Sequence, residues 1–123
     1  MNVAPKKVLV AESDEIVLVL ITHVLTRQSY DVHRSASAAE TEALLQSDDY
    51  DAILLAPRIA NGDGDFLSRL TERNAELKRK LIILAANLDD AHASEQLGAW
   101  AIMRKPVEIY ELIGTVRDCI ERN

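Results

Sequence analysis

One cysteine, one tryptophan, one phenylalanine and three tyrosines are all that 123 residues contain of thiols and aromatic rings. The lone Cys119 cannot form an internal disulfide, which fits a reducing compartment. It has no CxxC or Cys/His partner at metal-ligand spacing, and lies inside a helical pattern. Its expected role is that of a small core hydrophobe. With aromatics at 4%, the core has to be built from Leu, Ile, Val and Ala, and base-stacking surfaces have little material.

Long apolar runs are also missing. The longest, residues 16–21, falls far short of the roughly 20 residues that span a bilayer. The opening MNVAPKK has no apolar stretch resembling a signal peptide. The expectation is a cytoplasmic protein with no membrane contact. Excess positive charge is absent as well: the formal net charge is −6, which argues against a nucleic-acid surface. The one basic cluster, residues 69–80 (RLTERNAELKRK), is interrupted by Glu72 and Glu76 and reads as a solvated helix face and loop. His23, His33 and His92 show no metal spacing, so neither metal nor other cofactor is expected. There is no internal repeat, low-complexity tract or linker.

What remains is a chain of one-domain length, residues 1–123, with 48% hydrophobic and 28% charged residues. A domain this long buries roughly two-thirds of its unfolded surface and can hold a core without disulfides or metal. Two pattern types alternate along it. Short apolar runs occur at 8–11, 51–56 (DAILLA) and 81–86 (LIILAA), of the kind found in strands buried on both faces. A strand is expected at 30–34 and a short fifth one at 101–103.

Helical patterns fall between the strands: 14–27 with Ser13 as N-cap, a helix opened by the capping box from Ser37 to Glu40, then 65–76, 89–97 and 107–122. The first helix is expected to bury Val17, Leu20, Ile21, Val24 and Leu25; the last, Ile109, Leu112, Ile113, Val116 and Ile120. Five β-α units with right-handed crossovers imply a parallel sheet covered by helices on both faces. In such sheets, sites form at the carboxyl ends of the strands, here just after Ala11, Ala56, Ala85 and Met103.

Around those strand ends stand Tyr50-Asp51, the Asp63-Gly64 turn, Gly98-Ala99 and Lys105-Pro106. By these landmarks the chain resembles the receiver domain of two-component response regulators. The resemblance covers nearly the whole length and implies a doubly wound, flavodoxin-like α/β sandwich of three layers. Its five-stranded parallel sheet would have order 2-1-3-4-5, with five helices. It also implies a cis bond between Lys105 and Pro106.

In that family an aspartate ending the third strand accepts a phosphoryl group, and two acidic residues after the first strand hold Mg²⁺. A hydroxyl residue ends the fourth strand and a lysine follows the fifth. The aspartate is the nucleophile; metal and lysine neutralise developing charge; the hydroxyl binds the product. This chain departs from the pattern at most of these positions. Ala56 stands at the acceptor position, Glu12 and Ser13 at the acidic pair, Ala85 at the hydroxyl position and Ile102 at the switch aromatic. Lys105, followed by Pro106, is kept. A methyl group cannot form an acyl phosphate, and Mg²⁺ requires several oxygen ligands. The expectation is a pseudo-receiver without enzymatic activity and with weak or absent metal binding.

An ammonium group is costly to bury alone, so Lys105 is expected either to pair with Glu12 or to extend into solvent. The depleted pocket, with Lys105 and Arg58, leaves open a small anion or nucleotide as ligand. Asp14, Asp63 and Asp65 lie near strand ends as alternative phosphoryl acceptors. Asp14 suits the first turn of a helix and Asp63 a turn.

Candidate docking residues come from two places. On the first helix, Ile16, Leu18 and Val19 lie outside or at the margin of the core stripe. In receivers this helix meets histidine kinases and phosphotransferases; coverage by adjacent loops is the alternative. Trp100 takes a usually polar position near the face receivers use for dimers and output partners, and Tyr110 extends it. Trp100 is expected either exposed there or folded over the depleted pocket. The reading is a protein-binding module of bacterial two-component signalling. Its expected partner is a histidine kinase, a phosphotransferase, another regulator or a second copy of the chain.

Overall fold

A computed structural model describes residues 4–59, 62 and 65–122. Five strands alternate with helices: β1 (Lys7–Ala11), α1 (Glu15–Arg27), β2 (Asp31–Ser35), α2 (Ala38–Ser47), β3 (Ala52–Leu55) and α3 (Phe66–Arg73). A 3-10 helix (Ala75–Lys80) leads into β4 (Leu81–Ala85), α4 (Leu88–Leu97), β5 (Ala101–Arg104) and α5 (Ile109–Arg122). The strands form one parallel sheet in the order β2-β1-β3-β4-β5. This is the expected doubly wound arrangement.

The continuous apolar runs follow from burial on both faces of the sheet. Successive side chains of a strand point to opposite faces. Val8, Val10, Ala52, Leu54, Ile82 and Leu84 pack with α1 and α5, around Ile21, Leu25, Leu112, Val116 and Cys119. Leu9, Ala11, Ile53, Leu55, Ile83 and Ala85 pack in a second core with Phe66, Leu67 and Leu70 of α3. Cys119 is buried, as a small hydrophobe should be.

Several boundaries differ from expectation, each for a local reason. The cap of α1 is Asp14, not Ser13: its Oδ1 accepts from Ile16 N at 3.0 Å and Val17 N at 3.4 Å. A carboxylate serves this position doubly, as acceptor and as charge at the positive end of the helix dipole. Ser37 does cap α2, accepting from Glu40 N at 3.2 Å. The helix expected at 65–76 breaks at Asn74, whose extended backbone and side chain start the 3-10 turn by accepting from Glu76 N at 3.0 Å. Helix α5 begins at Ile109 because Glu108 accepts from the N–H groups of Tyr110 and Glu111 at 3.1 and 2.7 Å. Gly98 ends α4 in the left-handed region, φ 81°, which a side chain would strain. The Asp63-Gly64 turn and Asn61 lie outside the described residues.

Two helix faces also need correcting. In α1, Leu18 is buried (9% exposed), whereas Leu20 is exposed. In α5, Ile109 is exposed and the buried stripe is Leu112, Val116 and Cys119, with Ile113 and Ile120 packed at its margin.

Candidate functional site

The carboxyl ends of β1, β3, β4 and β5 converge on a small cleft, held together by strand-like bonds that continue past the strands. Glu12 N donates to Ser35 O at 3.0 Å, Ala56 N to Ala11 O at 2.9 Å, and Lys105 N to Ala85 O at 2.9 Å. Register therefore sets Glu12 and Ala56 level with Leu84, with Ala85 one residue and Lys105 two residues further along their strand ends. The Lys105-Pro106 bond is cis.

Glu12 is 1% exposed, and its Oε1 accepts from the Lys105 ammonium. Of the two placements open to Lys105, the structure takes the ion pair. Glu12 Oε2 is buried without a hydrogen-bond partner. Ser13 is exposed at the rim, Ala56 is a buried methyl group in the floor, and Ala85 is buried in the α3-side core. A cavity of about 140 Å³ remains, bordered by Glu12, Ser13, Ala56, Arg58, Asp90 and Lys105.

Sequence reasoning missed Asp90. Only 7% exposed, it accepts from Arg58 Nε at 3.0 Å and from Ala86 N at 3.3 Å. Its own N–H donates to Asn87 Oδ1 at 2.9 Å. The signal available in the sequence was the Asn87-x-x-Asp90 spacing, a cap followed three residues later by an acid.

The candidate surface residues separate. Ile16 is 82% exposed, Tyr110 83%, and Val19 is exposed; Leu18 is core and cannot meet a partner. Trp100 is half-buried against the α1–α5 core and does not border the cavity, so it neither lids the pocket nor stands free. Ile102 is half-buried against the α3-side core. Exposed Leu20 joins Ile16 and Val19 on α1, and Leu88 is exposed at the start of α4.

The model of the response regulator receiver domain matches residues 8–117. The chain belongs to that family. The receiver is similar to the transcriptional regulatory protein PmrA of Pectobacterium parmentieri, with 27% identity over 95% of this chain and 53% of that protein. It is also similar to the TorCAD operon regulator TorR of Escherichia coli K12, at 23% identity over 96% of this chain and 51% of that protein. The receiver thus spans about half the length of the curated relatives it matches.

Among solved structures, a response regulator from Chloroflexus aurantiacus superposes with TM-score 0.86 at 24% identity, covering 97% of this chain and all of the other. The receiver domain of a sensor histidine kinase from Pseudomonas aeruginosa gives TM-score 0.84 at 25% identity, covering 96% and 99%. That domain coordinates a magnesium ion in its active-site cleft.

The residues present here do not fit such an ion. Glu12 already neutralises Lys105, Asp14 is spent on the α1 cap, and Asp90 is engaged by Arg58 and Ala86. Ala56 supplies no oxygen from its side chain. One orphan carboxylate oxygen beside an ammonium is not the oxygen-rich shell Mg²⁺ demands; a water can satisfy it instead. Among the described residues, no group of three His, Cys, Asp or Glu side chains comes together to hold a metal. At the opposite end of the strands Lys7 is raised and Asp48 lowered by their mutual hydrogen bond, and burial pushes Tyr50 up.

Proposed function

We propose that this receiver domain is a non-phosphorylatable pseudo-receiver, not an enzyme, and that it acts as a protein-binding module in two-component signalling. The observation that carries this is the pairing of Lys105 with Glu12 over Ala56. The residue that would neutralise a phosphoryl group is already neutralised, and the position of the nucleophile holds a methyl group. Neither orientation nor proximity compensates for a missing nucleophile.

Binding surface is supported by apolar exposure away from the cleft. Ile16, Val19 and Leu20 share one edge of α1, and Ile109 and Tyr110 stand out at the start of α5. The proposed partner is a histidine kinase, a phosphotransferase, another regulator or a second receiver, met in the reducing cytoplasm. Net charge −6 disfavours nucleic acid as that partner. A small anion in the cleft is disfavoured because both nearby cations, Lys105 and Arg58, already hold carboxylates. Among the alternative acceptors, Asp14 is used as a helix cap, and Asp63 lies outside the described residues.

The test is amide NMR of the protein alone, with Mg²⁺, and with Mg²⁺ plus beryllofluoride, which mimics an acyl phosphate on aspartate. Unchanged spectra are expected. Saturable shifts clustered at Glu12, Ala56 and Lys105 would overturn the reading.

A further inference from the structure

Arg58 and Asp90 come from different layers of the molecule, one from the segment after β3 and the other from the first turn of α4. Their contact is asymmetric. The Arg58 side chain is 70% exposed, whereas that of Asp90 is 8% exposed and points into the cleft bordered by Lys105 and Glu12. A carboxylate placed so deep needs donors on both oxygens, because an unpaired buried charge is strongly disfavoured. It has them: Oδ1 takes the guanidinium N–H, and Oδ2 takes the N–H of Ala86, the residue after β4.

These two donors, from separate strand ends, converge on one carboxylate. Such convergence of a guanidinium and a backbone N–H is the chemistry of an oxyanion site. We propose that the strand ends form an anion-binding site whose permanent occupant is this chain's own Asp90. This internal ligand clasps α4 to the ends of β3 and β4, holding the β4–α4 turn in a single arrangement. Small oxyanions such as phosphate or acetate are kept out because Asp90 is tethered at high local concentration. The inference goes beyond the binding-module reading and stands on these contacts alone.

Three variants test it. Arg58→Ala removes an exposed side chain without touching the α4 cap, and Asp90→Asn removes the charge while keeping the shape. Hydrogen exchange at Ala86 is expected to quicken about tenfold in each, the scale of one hydrogen bond to a charged group. In Asp90→Ala, inorganic phosphate or acetate should produce saturable shifts at Ala86 and Arg58 Nε, and restore much of the lost protection. The wild-type protein should show no such shifts.

Exchange at Ala86 within twofold of wild type in both Arg58→Ala and Asp90→Asn would overturn the clasp. So would phosphate binding equally well to wild type and Asp90→Ala. Since Arg58 is exposed, its variant remains informative if the Asp90 variants fold poorly. Beryllofluoride shifts at Ala56 in the wild type, with Ala86 and Arg58 Nε unmoved, would sink the non-phosphorylatable reading and leave the clasp standing; shifts at Ala86 and Arg58 Nε as well would overturn both.

Discussion

Lys105 closes an ion pair on Glu12 across 93 positions of sequence, uniting the ends of the first and last strands of the chain. The two partners differ in burial: the Lys105 side chain is 24% exposed and that of Glu12 only 2%. Breaking such a pair from the exposed side strands a charge on the buried side.

Lys105→Ala should therefore destabilise the domain toward the lower end of the roughly 3–5 kcal/mol seen for broken buried pairs. The double variant Lys105→Met/Glu12→Gln should cost clearly less, because no charge is left unpaired. Urea denaturation of the three proteins decides this; equal losses in the single and double variants would show that the pair is not coupled.

Restoring the acceptor should not restore phosphorylation. Ala56→Asp places a carboxylate beside Glu12, where it competes for Lys105 and meets like-charge repulsion, while Ala85 still offers no hydroxyl. After incubation with acetyl phosphate and Mg²⁺, intact mass spectra should show no phosphoryl adduct. A stoichiometric adduct on this variant would contradict the account of the site.

On α1, neighbouring apolar residues should behave oppositely. Leu18→Ala empties a core site and should cost about 2–3 kcal/mol. Ile16→Ser, at an exposed position, should stay within about 0.5 kcal/mol. Thermal unfolding checks both. A large loss for Ile16→Ser would mean that this surface is covered in solution.

Alkaline pH should erode stability through Tyr50 and Tyr30. Burial is the main cause raising each, with Asp48 and Asp31 adding to Tyr50, so both ionise above the ordinary 10.0. The folded state then holds these protons more tightly than the unfolded one. The stabilisation is complete below 10.0 and is lost as pH rises through the raised folded values. Phenolate absorbance should show two tyrosines ionising late, and denaturant midpoints should fall over the same range. Tyr50 is also fixed by a 2.8 Å hydrogen bond to His33 Nδ1. Ionisation of Tyr50 at its ordinary value in the folded protein would refute this.

The strand runs at 8–11, 51–56 and 81–86 were legible because parallel strands buried on both faces must be apolar throughout. Crossover handedness gave a parallel sheet covered on both faces, while its strand order, and the site positions where Ala56 and Ala85 stand, came from the resemblance to receivers. Helix faces were less legible. The run Ile16-Val17-Leu18-Val19-Leu20-Ile21 is apolar all round, so spacing admits either Leu18 or Leu20 as core. Asn74 fits the helical pattern by position, but its side chain opens a new turn by accepting from Glu76 N.

By itself the sequence determined the alternation of strands and helices, the double burial of the central strands, and which side chains stand at the strand ends. Each of these rests on local pattern or on the chemistry of a single side chain. Only the tertiary structure decided which stripe of α1 is buried, that Trp100 packs on the α1–α5 core, and that Asp90 reaches Arg58 and Ala86. These depend on where distant segments come to rest against one another, and no local period encodes that.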